Sequence, residues 1–204
     1  NLKNLAGIDK RPQELTLAEL TELDIYENGY RTKISSFDTY LKRANQLGQR
    51  LLIEIKTSKL DSSDMMDRFL KQYAATIKIY GHQMQSLDYH VIDKVLDYDK
   101  DIQVFFILPY NTIFPRTHAS GYTMEYSTLD DNFVNKIWQS DKYLYAWTIN
   151  TEDATAKSFR LGVDGIITDD VSYIQNSIKE LRDNPKYSTL LENKAADLLN
   201  FPGS

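Results

Sequence analysis

Short apolar segments alternate with amphipathic ones over most of the chain. The short segments are rich in aliphatic and β-branched residues and predict buried strands at 51–57, 83–86, 102–108, 122–127, 143–149 and 163–168. All but the third lead into apolar residues at helical spacing, which predict helices at about 64–79, 88–98, 130–140, 151–162 and 172–182. Strands that alternate with helices in this way indicate βαβ units and a parallel sheet.

A further helix is predicted ahead of the first strand. Thr16 and Glu19 have the spacing of a capping box, in which two side chains and two backbone amides bond reciprocally. Leu17, in the first turn of this helix, is expected on its buried side. Residues 26–33 contain no apolar periodicity and include the turn signal Asn28-Gly29, so they predict a loop.

The repeated units favour a (β/α)8 barrel, with a doubly wound parallel sheet as the competing fold. A doubly wound sheet usually has a glycine-rich phosphate turn after its first strand, and none of the six predicted strands is followed by one. A complete barrel takes about 250 residues and eight strands. We therefore expect an α/β protein of the TIM-barrel type that lacks two strands. Residues 1–185 would form this partial barrel, and 186–204 a C-terminal helical tail.

Composition narrows the classes of function. The chain has 204 residues and a net charge of −5. Its acidic and basic residues are interspersed, which argues against a nucleic-acid partner. It contains no cysteine, which excludes disulfides, thiolate catalysis and zinc–thiolate sites. No apolar run approaches the ~20 residues of a membrane span.

The predicted strand at 51–57 carries two charged side chains in an otherwise apolar sequence. Side chains alternate along a strand, so Glu54 and Lys56 project from the same face, about 6.6 Å apart by the strand rise. The strand is too apolar for an exposed sheet edge, and buried charges are costly unless they are paired or used. Two interpretations are open: an internal ion pair, or a metal ligand beside a phosphate-binding lysine.

In a parallel barrel the functional face lies at the C-terminal ends of the strands. The polar and aromatic residues there form an acidic mouth with one prominent lysine: Glu54, Lys56, Ser86, Asp88, Tyr110, Asn111, Glu125, Trp147, Asn150, Thr168, Asp169 and Asp170. Such a mouth can hold calcium or magnesium, which prefer several oxygen ligands. Each residue also has a structural interpretation. Asp88, Thr151 and Ser172 are placed to cap helices, and Trp147 is equally consistent with core packing.

The three histidines do not form an acid–base arrangement. His82 begins a predicted strand and therefore lies at the end of the barrel opposite the mouth. His90 is in the first turn of a helix, and His118 is in the long loop after the third strand. No Ser-His-Asp arrangement is evident. From the residues alone, the chain is a barrel-like α/β protein with an acidic, lysine-bearing mouth.

Several motifs resemble the glycerophosphodiester phosphodiesterase family. YAWTIN at 145–150, followed by LGVDGIITD at 161–169, resembles its C-terminal signature. IEIK at 53–56 is similar to its third-strand Glu-Ile-Lys motif, and SLD at 86–88 to its Ser-Phe-Asp element, with Leu87 as a departure. The resemblance extends to about residue 180.

This resemblance implies a phosphodiesterase-superfamily barrel that hydrolyses glycerophosphodiesters to an alcohol and glycerol 3-phosphate, with calcium or magnesium. By resemblance, Glu54 is a metal ligand and Lys56 contacts the phosphate of a small-molecule phosphodiester. Trp147 would line the glycerol pocket, and Glu125 is a further candidate for substrate binding. The alternatives are a phospholipase C-like phosphodiesterase on the same barrel and a non-catalytic binding module.

The departures concern the first two strands of the family. Its first strand ends in His-Arg, and its second carries a Glu-x-Asp pair and then His-Asp; none of these is in the chain. We therefore expect strands three to eight only, with the catalytic residues upstream of Asn1 and none in this chain. The chain alone would be inactive, and its exposed sheet edges would favour self-association.

The resemblance looks closest to Firmicute members in which the domain follows a membrane segment. It therefore implies that the intact protein is anchored at the extracytoplasmic face of a bacterial membrane, with the cytoplasm as the alternative.

Overall fold

The computed structural model describes residues 2–27, 29–110, 115–186 and 189. It begins with a series of short elements: α1 (Lys3–Ala6), a 3-10 helix (Pro12–Glu14), α2 (Leu17–Glu22), the antiparallel strands β1 (Asp24–Glu27) and β2 (Tyr30–Lys33), and α3 (Phe37–Gln46). The predicted capping box is confirmed. Thr16 Oγ1 accepts from the Glu19 amide at 3.2 Å, and Glu19 Oε2 accepts from the Thr16 amide at 2.8 Å.

Two expectations for this N-terminal segment are wrong. The loop predicted at 26–33 is part of the hairpin β1–β2. Its strands are short and mostly exposed, so they lack the alternation of apolar and polar residues that identifies a strand from sequence. An ion pair between Arg31 and Asp24 at 2.6 Å joins the two strands. Leu17 is 64% exposed, because its side of α2 faces solvent.

A six-stranded parallel sheet follows, and its strands are neighbours in chain order: β3 (Leu52–Glu54), β4 (Gln83–Ser86), β5 (Val104–Leu108), β6 (Gly121–Glu125), β7 (Tyr143–Trp147) and β8 (Gly165–Ile166). The accompanying helices are α4 (Met65–Ile79), α5 (Tyr89–Tyr98), α6 (Asp131–Gln139), α7 (Glu152–Leu161) and α8 (Val171–Asp183). Both the six predicted strands and their parallel pairing are confirmed.

The sheet is curved and encloses an interior. Gln83 on β4 and Tyr145 on β7 are three strands apart, which is roughly 14 Å across a flat sheet. The Gln83 amide nevertheless lies 3.0 Å from the Tyr145 hydroxyl. Phe105 on β5 stacks on the same tyrosine, with ring centroids 4.5 Å apart. Side chains from separated strands therefore meet on the concave face, as in part of a (β/α)8 barrel.

The convex face of the sheet packs against the helices and holds the hydrophobic core. Residues at alternate strand positions point outward into two clusters that share Phe106. Their strand members are Ile53, Met84, Val104, Tyr122, Met124, Leu144 and Ala146. Since side chains alternate, the residues between them face the interior. The core thus fixes which strand positions are available to a site.

The strands β3 and β8 are the ends of the sheet, and each pairs with one neighbouring strand among the described residues. The expectation that the strand at 51–57 is too apolar for an edge is therefore wrong. Its apolar side chain Ile53 is buried by helices on the convex face, so burial does not require a strand on each side. Exposed edges motivate the expected self-association, which stays a prediction.

Helix caps account for several of the polar residues at the strand ends. The side chains of Asp88 and Thr151 cap α5 and α7, as predicted. Ser172 does not cap α8. The cap is Asp170, whose Oδ1 accepts from the Tyr173 amide at 2.9 Å, so the helix begins earlier than the predicted capping box.

The helix predicted after Pro185 falls mostly on residues outside the described ranges, so the boundary between 1–185 and 186–204 stays a prediction. None of the helices in the described ranges is both long and apolar enough to cross a membrane. The expected membrane anchor and location are therefore still predictions.

His82, which directly precedes β4, joins that strand to two neighbouring elements. Its Nδ1 accepts from the Leu51 amide at 3.1 Å, and its Nε2 donates to Asn45 Oδ1 at 2.8 Å. Burial lowers the pKa of His82 below its ordinary value of 6.5, because the charged form loses solvation. A proton on Nδ1 would also remove the acceptor of the Leu51 amide. His82 is a structural residue at the end of the barrel opposite the mouth, as its position in the sequence predicted.

We expect His82 to make the stability of the fold depend on pH. Because its pKa is lower in the folded state, its contribution is complete above about 6.5, the value in the unfolded chain. It is lost as the pH falls through the lower folded-state pKa. The free energy of unfolding, measured in urea between pH 7.5 and pH 5, should therefore decrease more in the wild type than in His82→Gln. Equal decreases would show that His82 protonates freely in the folded protein.

Candidate active site

The interior of the curved sheet is lined mainly by polar and aromatic side chains, with Ile107 of β5 also facing inward. The polar and aromatic members lie at the strand positions between those that pack outward: Glu54, Gln83, Gln85, Phe105, Thr123, Tyr145 and Trp147. The one charged member, Glu54, lies at the C-terminal end of β3, and Phe105 and Tyr145 lie nearer the N-terminal ends of their strands. The part of the interior that carries a charged side chain is therefore at the C-terminal ends of the strands, where barrel enzymes have their active sites.

Two aromatic rings form the floor of this interior. Phe105 and Tyr145 stack there, and glycines on neighbouring strands make room for them. A Cβ on Gly121 would lie 2.7 Å from the Phe105 ring, and one on Gly165 would lie 2.6 Å from the Tyr145 ring. Both distances are shorter than van der Waals contact. Gly165 is therefore required by the close approach of the Tyr145 ring, and Gly121 by the Phe105 ring and by the Tyr143 backbone carbonyl, which a Cβ would approach to 2.5 Å.

Glu54 and Lys56 stand beside each other at the end of β3. Lys56 Nζ lies 3.7 Å from Glu54 Oε1, and the Gln85 amide donates to Glu54 Oε2 at 3.4 Å. The Lys56 side chain is 80% exposed and that of Glu54 33%, so the expectation of two buried charges is wrong. The cause is the edge position of β3, which leaves its interior face open. The structure contains the ion pair, loosely held and accessible.

The loop that carries Lys56 is fixed by polar contacts on three sides. The Ser86 hydroxyl donates to the Ile55 carbonyl at 2.7 Å, and the Thr57 hydroxyl donates to Asp88 at 2.9 Å. Beyond them, the Asp61 carboxylate accepts from Gln13 of the N-terminal segment at 3.2 Å. This contact and the Ser58 amide hold the pKa of Asp61 below its usual range. The SLD motif at 86–88 therefore positions the strand end that bears the lysine.

Trp147 and Glu125 are paired residues on β7 and β6, at the mouth. The Trp147 ring is partly buried, and its Nε1 is enclosed without a hydrogen-bond partner among the described residues. Glu125 accepts from the Ser127 amide at 3.0 Å and from its hydroxyl, so this carboxylate already caps a short 3-10 helix (Tyr126–Thr128). The substrate contact assigned to Glu125 stays a prediction.

The signature motifs of β7 and β8 meet through one side chain. Asn150 Oδ1 accepts from the Thr168 hydroxyl at 3.1 Å and from the Asp169 amide at 3.0 Å, and its Nδ2 donates to the Asp169 carboxylate at 2.7 Å. These three bonds join the loops after two neighbouring strands. Asn150 and Asp169 therefore have a structural role at the mouth, beside Trp147.

The residues present do not by themselves fit a divalent cation. No group of three or more His, Asp or Glu side chains in the described ranges is placed to hold a metal ion. Calcium takes six to eight oxygen ligands and magnesium about six, whereas the polar contacts of Glu54 within the described residues are with two donors, Gln85 Nε2 and Lys56 Nζ. The role of Glu54 as a metal ligand stays a prediction that requires ligands beyond the described residues.

Sequence reasoning missed two interior residues, Gln85 and Thr123. Both are buried within strands, on the same side as Glu54 and Trp147. A signal was present, because polar residues at interior positions of otherwise apolar strands are unusual in a packed core.

Comparison with known proteins assigns the chain to a family. The model of the glycerophosphoryl diester phosphodiesterase family matches residues 1–173. The chain is 25% identical over 177 residues to the Bacillus subtilis (strain 168) protein YhdW, provisionally named a glycerophosphodiester phosphodiesterase. That alignment covers 79% of this chain and 71% of YhdW.

Solved structures share the fold. A provisionally assigned glycerophosphoryl diester phosphodiesterase from Silicibacter pomeroyi superimposes with a TM-score of 0.76 at 15% identity, over 87% of this chain and 72% of that one. A phosphodiesterase from Oleispira antarctica, solved with the product sn-glycerol-3-phosphate, gives a TM-score of 0.72 at 19% identity, over 87% and 76% of the two chains. Because the family model matches residues 1–173 of the 204, the chain belongs to the glycerophosphoryl diester phosphodiesterase family.

Proposed function

We propose that this chain forms the phosphate- and alcohol-binding wall of an enzyme that hydrolyses glycerophosphodiesters to an alcohol and glycerol 3-phosphate. The observation that carries the proposal is the placement of Lys56 and Trp147. Lys56 lies just after β3 and Trp147 ends β7, so both lie at the C-terminal rim of the parallel sheet. A cation on one side and an aromatic ring on the other suit a ligand with a phosphate and a short polyol.

Lys56 supplies a fixed positive charge for the phosphate. Its side chain is exposed, and its partner Glu54 is 3.7 Å away, longer than a normal hydrogen bond. An exposed ion pair of this kind is worth about 0–1 kcal/mol, so a phosphate can replace it at little cost. In the transition state, where charge on the phosphoryl oxygens grows, the same ammonium stabilises it further.

The family generally depends on a divalent metal. A cation would offset charge on the phosphoryl oxygens. The described residues supply Glu54 as one carboxylate, and the chain contains neither the His-Arg nor the His-Asp motif that the resemblance associates with catalysis. We therefore propose that this chain alone binds ligand without turnover.

We expect Lys56→Met to weaken the binding of sn-glycerol 3-phosphate about tenfold or more, since a charge-assisted contact is lost (about 1.4 kcal/mol per tenfold). The measurement is a calorimetric or NMR titration of the 204-residue chain. Lys59→Met is the matched control, because it removes a lysine from the exposed loop after β3 and should leave the affinity unchanged. Equal effects of the two substitutions would mean non-specific attraction and would contradict the assignment of Lys56.

We also expect no turnover of a glycerophosphodiester by this chain with added calcium or magnesium. Neither cation should produce a saturable increase in Tm, because one carboxylate is too small a ligand set. The Oleispira antarctica phosphodiesterase, assayed in the same buffer, controls for the substrate and the conditions. Turnover that EDTA abolishes would overturn the proposed inactivity and show that ligands outside the described residues complete the site.

A further inference from the structure

Three buried polar atoms in the barrel interior have no hydrogen-bond partner within the parts of the chain that the structure describes. They are Gln85 Oε1, Thr123 Oγ1 and Trp147 Nε1. Gln85 is 8% exposed and Thr123 is fully buried. Buried polar groups are normally paired, because leaving one unpaired forfeits its interaction with water without replacement. Their concentration at one place therefore needs an explanation.

The strand register places Gln85 and Thr123 in one layer of the interior and Trp147 in the layer next to it. Gln85 on β4 is paired with Phe105 on β5, which is paired with Gly121 on β6. In a barrel of this type the strand tilt raises each successive strand by about one residue, so alternate strands share a layer. Gln85 therefore shares its layer with Thr123, two residues beyond Gly121.

The same rule orders the neighbouring layers. It puts Phe105 and Tyr145 together one layer below, and their stacked rings confirm that assignment. It puts Glu54 and Trp147 together one layer above. Gln85 and Thr123 thus form a polar layer between the aromatic floor and the ion pair at the mouth, and Trp147 borders that layer on its mouth side.

The chemistry of the three groups suits hydroxyls. The indole Nε1–H only donates, the Gln85 carboxamide oxygen only accepts, and the Thr123 hydroxyl does both. The hydroxyls of a vicinal diol can donate to the Gln85 oxygen, accept from the Trp147 N–H and do either with the Thr123 hydroxyl. An alkyl chain would leave all three groups unpaired. Sites built to bond a hydroxyl reject analogues that lack it, because the site's own polar groups are then unsatisfied.

We propose that Gln85, Thr123 and Trp147 bind the hydroxyl groups of a polyol phosphate and determine specificity for its alcohol part. The inference rests on the proposed function, since it assumes that Lys56 holds the phosphate at the mouth. The path to the layer is through Gln85. Its amide is held by a 3.4 Å bond to Glu54, which a ligand hydroxyl can exchange.

The test compares sn-glycerol 3-phosphate with propyl phosphate, which has the same carbon chain and phosphate but no hydroxyls. The wild-type chain should bind the glycerol compound at least tenfold more tightly. Thr123→Val, which is close to isosteric, and Gln85→Met should reduce this preference to threefold or less without weakening propyl phosphate. Thr123→Ser restores a hydroxyl and should recover the preference. Lys56→Met should weaken both ligands alike.

Trp147 provides an independent readout. The chain has two tryptophans, and the other, Trp138, lies on α6 among the helices outside the sheet. The indole N–H NMR signal of Trp147 should therefore shift with sn-glycerol 3-phosphate much more than with propyl phosphate, while that of Trp138 stays in place. A signal of Trp147 that responds equally to both ligands would overturn the hydroxyl contact.

Ser158 on α7 is the matched control. Its hydroxyl is also buried and without a partner in the described chain, but it lies among the helices, away from the interior. Ser158→Ala should leave the ligand preference unchanged. If Thr123→Val also leaves it unchanged, the inference is overturned and the phosphate-binding role of Lys56 is retained. If neither ligand binds the wild-type chain, both the inference and the proposed function are wrong.

Discussion

The contact between Gln83 and Tyr145 across the concave face requires a strongly curved sheet, and the arrangement of the site follows from that curvature. Because the strands are parallel, all their C-terminal ends lie at one rim, and curvature turns that rim into a mouth. The residues that pack outward against helices fix the orientation of their neighbours. Glu54, Gln85, Thr123 and Trp147 therefore face one interior although they come from four different strands.

The edge position of β3 decides the electrostatics of the mouth. Two charges buried between strands would require strong pairing to offset lost solvation. On an open edge, Lys56 is hydrated and its pairing with Glu54 is weak, which leaves the ammonium available to a ligand. The loop after β3 contacts Ser86, Asp88 and Gln13, and these contacts hold the backbone near Lys56 in place. The ammonium is therefore presented to a ligand from a fixed backbone.

Much of the fold was predictable because the sheet strands carry strong apolar patterns. The β1–β2 hairpin was not, because its short strands are exposed on nearly all sides and leave no periodic signal. The cap of α8 was assigned to Ser172 and not to Asp170, since both positions have cap chemistry and only the backbone decides between them. At the site, sequence identified Glu54, Lys56 and Trp147 by motif. It missed the polar layer of Gln85 and Thr123, because a single polar residue within a strand indicates a site only when the barrel brings several such residues together.

The most direct test of the account is a crystal structure of this chain with sn-glycerol 3-phosphate. The account predicts a phosphate oxygen within hydrogen-bond distance of Lys56 Nζ and the glycerol on the interior side of Trp147. A ligand bound elsewhere would contradict it, and the pocket lined by Arg116, Lys136 and Lys142 is one alternative place at which an anion would collect. Density for the ligand in that pocket, with the barrel interior unchanged, would show that the wall described here is not a binding site.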